Sequence, residues 1–176
     1  WQVAQTGKGK GSVWQVVADK TAPKGTKALA QQAESPGTMY NLCLADKSVF
    51  QDGEISVAFK AVQGETDQGG GPLWRCQDAN NYYIARYNPL EKNFRLYKVV
   101  AGKRLQLASK ADLDLPAGAW HTIRIRHVGD QIACFLNGVQ HLTAQDDALP
   151  KAGKIGLWTK ADAQTYFADV RVEPIR

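Results

Sequence analysis

Apolar and polar positions alternate in twos along most of this chain, and almost nowhere at the 3.6-residue period of a helix. The stretch Glu54–Val62 (EISVAFKAV) puts Ile55, Val57, Phe59 and Ala61 on one face. In Trp120–Val128 (WHTIRIRHV), Ile123 and Ile125 point one way and Thr122, Arg124 and Arg126 the other. That is the pattern of an antiparallel strand with one dry and one wet face. Tyr82–Asn88, Phe94–Val100, Ile132–Leu136, Ile155–Lys160 and Tyr166–Val172 are rich in aromatic and β-branched residues and read as further strands. Turn signals separate them. Asn137-Gly138 between IACFL and VQHL predicts a type I′ hairpin, and Asp52-Gly53, Ala101-Gly102, Gly129-Asp130 and Pro116-Ala117-Gly118 mark other reversals. About a dozen short strands on short turns predict an all-β sandwich or jelly roll.

The 176 residues suit a single domain spanning the whole chain, with no linker, repeat or low-complexity stretch. Apolar residues at 44% and charged residues at 22% exclude a disordered chain, and no apolar run approaches the roughly 20 residues of a membrane helix. The net charge of +5 is spread out, its densest cluster being Lys8-Gly9-Lys10. No basic stripe interleaves with aromatics, so nucleic acid is not an expected partner. Cys43, Cys76 and Cys134 are odd in number and sit in apolar surroundings, which leaves one disulfide, such as Cys43–Cys134, open. They share no zinc-ligand spacing with His121, His127 and His141, so neither a metal nor a cofactor is expected. The first residue is Trp1 rather than Met. A processed or trimmed chain would explain this, and a removed signal peptide would place the protein in the periplasm or outside the cell.

Three stretches carry a resemblance. Gly71–Leu107 contains a strand, the run Asp78 to Tyr83 (DANNYY) and two further strands; Trp120–Leu142 runs from WHTIRI to IACFLNGV; Gly153–Val172 reads GKIGLWTKADAQTYFADVRV. Together they resemble the concanavalin A-like lectin and glucanase superfamily. Within it the chain is most similar to laminin-G-like bacterial domains and to the family named for 3-keto-disaccharide hydrolases. The resemblance implies two stacked, curved antiparallel sheets whose concave face carries a sugar site. It covers roughly the last 110 residues; the first 50 match only loosely.

Sugars bind through aromatic faces and planar polar groups, which singles out Trp74, Arg75, Arg86, Asn88, Lys98, Trp158 and Lys160 as substrate-binding candidates. Alternation pairs Trp158 with Lys160 and Arg86 with Asn88, sets Lys98 with Phe94 and Leu96, and allows at most one of Trp74 and Arg75 into a groove from mid-strand. Core packing is the competing role for Trp74 and Trp158. Asp162 and Glu91 fall in loops just past strand ends. If the 3-keto-sugar resemblance extends to activity, either would be the base of an elimination whose enolate Arg86, Lys98 or Lys160 stabilises. Asp169 could help hold a structural calcium in such a fold, but one carboxylate is thin support. The retaining-glucanase triad is absent, because Glu65-Thr66-Asp67 is followed by Gln68 and three glycines. These glycines permit either a close backbone approach or a bend. The expected partner is a carbohydrate, with a non-catalytic laminin-G-like interaction module as the alternative. A sugar site requires a concave groove with an exposed Trp or Tyr beside Arg, Lys or Asn; an interaction module requires a flat apolar patch.

Overall fold

The computed structural model describes residues 1–175, and all regular structure in it is β. Fourteen strands, numbered in chain order, form two seven-stranded antiparallel sheets. The first runs β1 (Gln2–Thr6), β4 (Tyr40–Leu44), β13 (Lys154–Lys160), β6 (Gly71–Asp78), β7 (Asn81–Asn88), β8 (Asn93–Val100), β9 (Lys103–Lys110). The second runs β12 (Val139–Gln145), β11 (Gln131–Leu136), β10 (Trp120–Val128), β5 (Gly53–Gln63), β14 (Gln164–Pro174), β3 (Lys27–Gln31), β2 (Trp14–Ala18). The first four strands, which sequence reasoning left unplaced, divide between the sheets: β1 and β4 at one side of the first, β2 and β3 at one side of the second.

The alternation read from the sequence becomes the inter-sheet core. Ile55, Val57 and Phe59 of β5 and Ile123 and Ile125 of β10 pack against Trp74, Tyr83, Ala85, Tyr87, Phe94 and Leu96 of the first sheet. Each large side chain buried this way contributes about 1.5–3 kcal/mol. Asn137 (φ 49°) and Gly138 (φ 84°) both take positive φ, as the type I′ turn demands. The three glycines after Gln68 serve close approach: a Cβ on Gly70 would strike the carbonyl oxygen of Trp158, and one on Gly71 that of Ala85. Side chains there would push β6 off both neighbours. Asp78 accepts from the backbone amide of Asn80 and the side chain of Asn81, shaping the β6–β7 turn.

Cys43, Cys76 and Cys134 are all free and buried, so the Cys43–Cys134 bridge is not formed. No three His, Cys, Asp or Glu residues among those described converge as metal ligands, and Asp169 is engaged by Arg171 at 2.7 Å.

Candidate functional site

The first sheet is strongly curved. β4 and β9 are five steps apart in it, roughly 24 Å if the sheet were flat. Yet the guanidinium of Arg104 on β9 lies 5.2 Å from the ring centroid of Tyr40 on β4, 5.8 Å from that of Trp158 and 4.4 Å from that of Tyr97. Only a sheet folded inward, away from its partner, brings these side chains together. At one end the hydroxyls of Tyr82 and Thr6 close the same face at 2.7 Å. Strand alternation lines this concave face with Tyr82, Ile84, Arg86 and Asn88 from β7, Arg95 and Tyr97 from β8, and Trp158 and Lys160 from β13.

The other end is polar. Arg86, only 1% exposed, donates to Asn93 and, at 2.8 Å, to Glu91. Glu91 also receives Asn93 at 3.0 Å and Arg95 at 3.3 Å. Asn88 caps the β7–β8 turn by accepting the amides of Leu90 and Glu91, while its own amide donates to Asp67 at 3.0 Å. Lys160 faces the second oxygen of Asp67 at 3.3 Å. Asp67 itself sits on the loop between β5 and β6, whose backbone amides at Glu65, Thr66 and Asp67 all donate to the carboxylate of Asp162.

These surroundings push the two carboxylates apart. Burial raises the Asp67 carboxyl above its ordinary value, and the nearby Arg86 and Lys160 only partly oppose it. Burial also acts to raise Glu91, but hydrogen bonds from Arg86 and Asn93 and the charges of Arg86 and Arg95 outweigh it and hold the group at about 2. Asp67 is thus the carboxyl that titrates more readily, and Glu91 stays an ionised partner of the arginines.

Arg86, Asn88, Trp158 and Lys160 therefore lie on one face, with Glu91 at its rim. Trp158 is fully buried beneath Arg104 and Tyr40, and the half-buried Tyr40 is the aromatic that reaches solvent beside them. Three expected residues lie elsewhere. Trp74 is turned between the sheets, stacked on Tyr83 and donating to His127 Nδ1 at 2.9 Å. Arg75 sits at a β-bulge with φ 44°, and its guanidinium is spent on the carbonyls of Gln51, Leu149 and Gly129 and on Asp52. Neither side chain enters the groove. Lys98 is in register with Tyr83, on the face opposite Arg86, and pairs with Asp146 at 2.5 Å. Asp162 and Glu91 are poorly placed as bases: Asp162 accepts three backbone amides, which overcome its partial burial and lower its pKa, and Glu91 is an ion-pair partner of two arginines. Sequence reasoning did not assign Tyr40, Arg95, Tyr97 or Arg104 to the site, and met Asp67 only in the incomplete glucanase triad. Alternation from Arg86 across the β7–β8 hairpin pointed to Arg95 and Tyr97; for the others only the glycine run beside Asp67 gave a local sign.

A surface hollow of about 420 Å³ lies at the other end of β13, between Asp46, Ser48, Gln77 and Lys154, and gathers no comparable set. A smaller one of about 220 Å³ opens beside Asp162, lined by Glu34, Gln63, Gly64 and Glu65.

A family model described as a 3-keto-alpha-glucoside-1,2-lyase-like domain matches residues 1–173. The chain belongs to that family. Comparison with curated proteins finds no match. Among solved structures, the carbohydrate-binding module CBM66 from Bacillus subtilis superposes with a TM-score of 0.79 at 17% identity, covering 97% of this chain and 94% of that one. Domain 4 of an extracellular arabinanase from Geobacillus stearothermophilus, in complex with arabinotriose, gives 0.61 at 15% identity over 97% and 81%. The Bacillus licheniformis β-glucanase gives 0.60 at 15% identity over 99% and 98%. These likenesses establish the concanavalin A-like jelly roll.

Proposed function

We propose that this domain binds carbohydrate on the concave face of its first sheet, at the end where Arg86, Glu91, Asp67 and Lys160 meet beside Tyr40. The carrying observation is the hydrogen-bonded set of buried amides, guanidinium groups and carboxylates whose partly exposed members, Glu91, Arg95 and Lys160, stand on the same face as the half-buried ring of Tyr40. Such groups match pairs of sugar hydroxyls, and the ring covers sugar C–H surface. Family membership supports the reading, as does the fold shared with a carbohydrate-binding module and an arabinotriose-bound domain. The laminin-G-like alternative lacks its own signature here, because the cationic, curved face is not a flat apolar patch. Action in the periplasm or outside the cell fits a glycan ligand and is part of the proposal.

Cleavage is a second reading with one specific observation behind it, the raised Asp67 carboxyl facing Lys160 at 3.3 Å on the same face as Arg86. In that case the Asp67 carboxylate, more basic than an ordinary aspartate, takes the proton α to the ketone of a 3-keto-glucoside. Arg86 and Lys160 stabilise the enolate, and the same proton passes to the glycosidic oxygen as its C–O bond breaks. A panel of disaccharides and oligosaccharides, 3-keto-glucosides included, tests both readings by thermal shift and product formation. Ligand at 100 times its Kd raises stability by about 2.7 kcal/mol. A shift without product supports the binding module, a shift with product the enzyme, and no shift across the panel overturns the proposal.

A further inference from the structure

We infer that the sugar taken by this face is acidic, carrying a carboxylate as a uronic acid does. The inference rests on the carbohydrate reading above and narrows it.

The concave face holds four cations, Arg86, Arg95, Arg104 and Lys160, against two carboxylates, Asp67 and Glu91. Glu91 is shared between Arg86 and Arg95, and Asp67 answers Lys160. Asp162 and Glu65 are close in the chain to this end, but Asp162 is committed to backbone amides. Arg104 enters none of the ion pairs among the described residues. Its surroundings are the rings of Tyr40, Tyr97 and Trp158, which hold the cation without neutralising it.

A second observation points the same way. Arg86 Nε and Arg104 Nη1 are buried donors with no acceptor in the protein. Both guanidinium groups flank one ring, at 6.0 and 4.4 Å from the Tyr97 centroid, so they are no further apart than those two distances laid end to end. Unmet donors of like charge beside one aromatic ring call for a group that only accepts. A hydroxyl both donates and accepts, whereas a carboxylate offers two oxygens in the geometry a guanidinium fork matches. Sulfate esters share the charge but not the planar shape.

Calorimetric titration of the domain with digalacturonate, with its carboxyl-reduced neutral counterpart and with a sulfated neutral disaccharide distinguishes the outcomes. Digalacturonate is expected to bind at least tenfold more tightly than the reduced sugar, and the advantage shrinks as salt rises from 50 to 500 mM. Arg104→Gln brings the two affinities together, and Arg104→Lys restores part of the gap. The wild-type comparison and its salt dependence need no variant to fold. Equal affinity for acidic and reduced sugars overturns this inference and leaves the carbohydrate reading standing. Preference for the sulfated sugar over digalacturonate overturns the carboxylate assignment. Failure of every sugar in this set and in the wider panel overturns both.

Discussion

The carboxylate of Asp162 accepts the backbone amide of Asp67 at 3.0 Å, so the acid at the β13–β14 turn fixes the position of the acid in the groove. Asp162 is a positioning residue. Asp162→Ala is expected to cost about 1 kcal/mol of stability, the usual scale for removing a side-chain acceptor from exposed amides. It is also expected to weaken sugar binding several-fold as the loop loosens. Asp162→Asn, which keeps one carbonyl acceptor, recovers part of both. A variant with intact affinity would disconnect the loop from the site.

Asp67 and Glu91 give opposite pH signatures. The Glu91 carboxyl is held at about 2 against an ordinary 4.5, so its contribution is present above 4.5 and lost as pH falls toward 2. Glu91→Gln should therefore flatten part of the acid limb of the stability curve. Its 41% side-chain exposure keeps that part small. Asp67 is raised, so the folded chain keeps a proton that the unfolded chain has released, and stability falls as pH rises above 3.8. Asp67→Asn should gain stability relative to wild type as pH climbs from 3 to 7, while losing sugar affinity. Chemical denaturation across that range checks both signs.

His127 supplies a third pH effect, remote from the sugar. Its Nδ1 accepts the Trp74 indole, and burial followed by the Arg75 guanidinium pushes its pKa from 6.5 to about 4. The unfolded chain takes up a proton first, so stability is lost as pH drops from 6.5 toward 4, on the order of 3 kcal/mol in all. His127→Gln, whose carbonyl can still accept the indole, should remove most of that slope. Trp74→Phe should cost about 1–3 kcal/mol through the unmet Nδ1 with sugar affinity unchanged.

Much of the architecture was legible because β5 and β10 alternate cleanly, their outer faces being wet. The site was harder to read for a physical reason. In β6, β7 and β13 nearly every residue is buried, since one face meets the second sheet and the other lines the concavity. Hydrophobicity then cannot say which way Trp74 or Trp158 points. The bulge at Arg75 further breaks the period-two rule by which its direction was judged. Tyr40, Asp67, Arg104 and Lys160 come from separate strands and loops; Tyr40 and Lys160 are register partners, but Arg104 reaches Tyr40 only because the sheet curves, and no local pattern encodes either pairing. Arg86 and Asn88 were found because they share a strand with each other.

The two lysines that looked alike in the sequence offer the sharpest contrast. Lys160 ends β13 on the concave face against Asp67, whereas Lys98 points the other way, to Asp146. Asp146 is nearly buried and also receives the Tyr83 hydroxyl at 2.6 Å, so it remains hydrogen-bonded when Lys98 is removed. Lys98→Ala should thus cost about 1–3 kcal/mol through a partly uncompensated carboxylate, and leave sugar affinity within twofold. Lys160→Ala should lower sugar affinity tenfold or more. It relieves little strain elsewhere, because Asp67 is already drawn toward its protonated form and retains the Asn88 amide. Parallel titrations and denaturant melts of the two variants separate the roles. Loss of affinity in Lys98→Ala with none in Lys160→Ala would remove the sugar from the concave face.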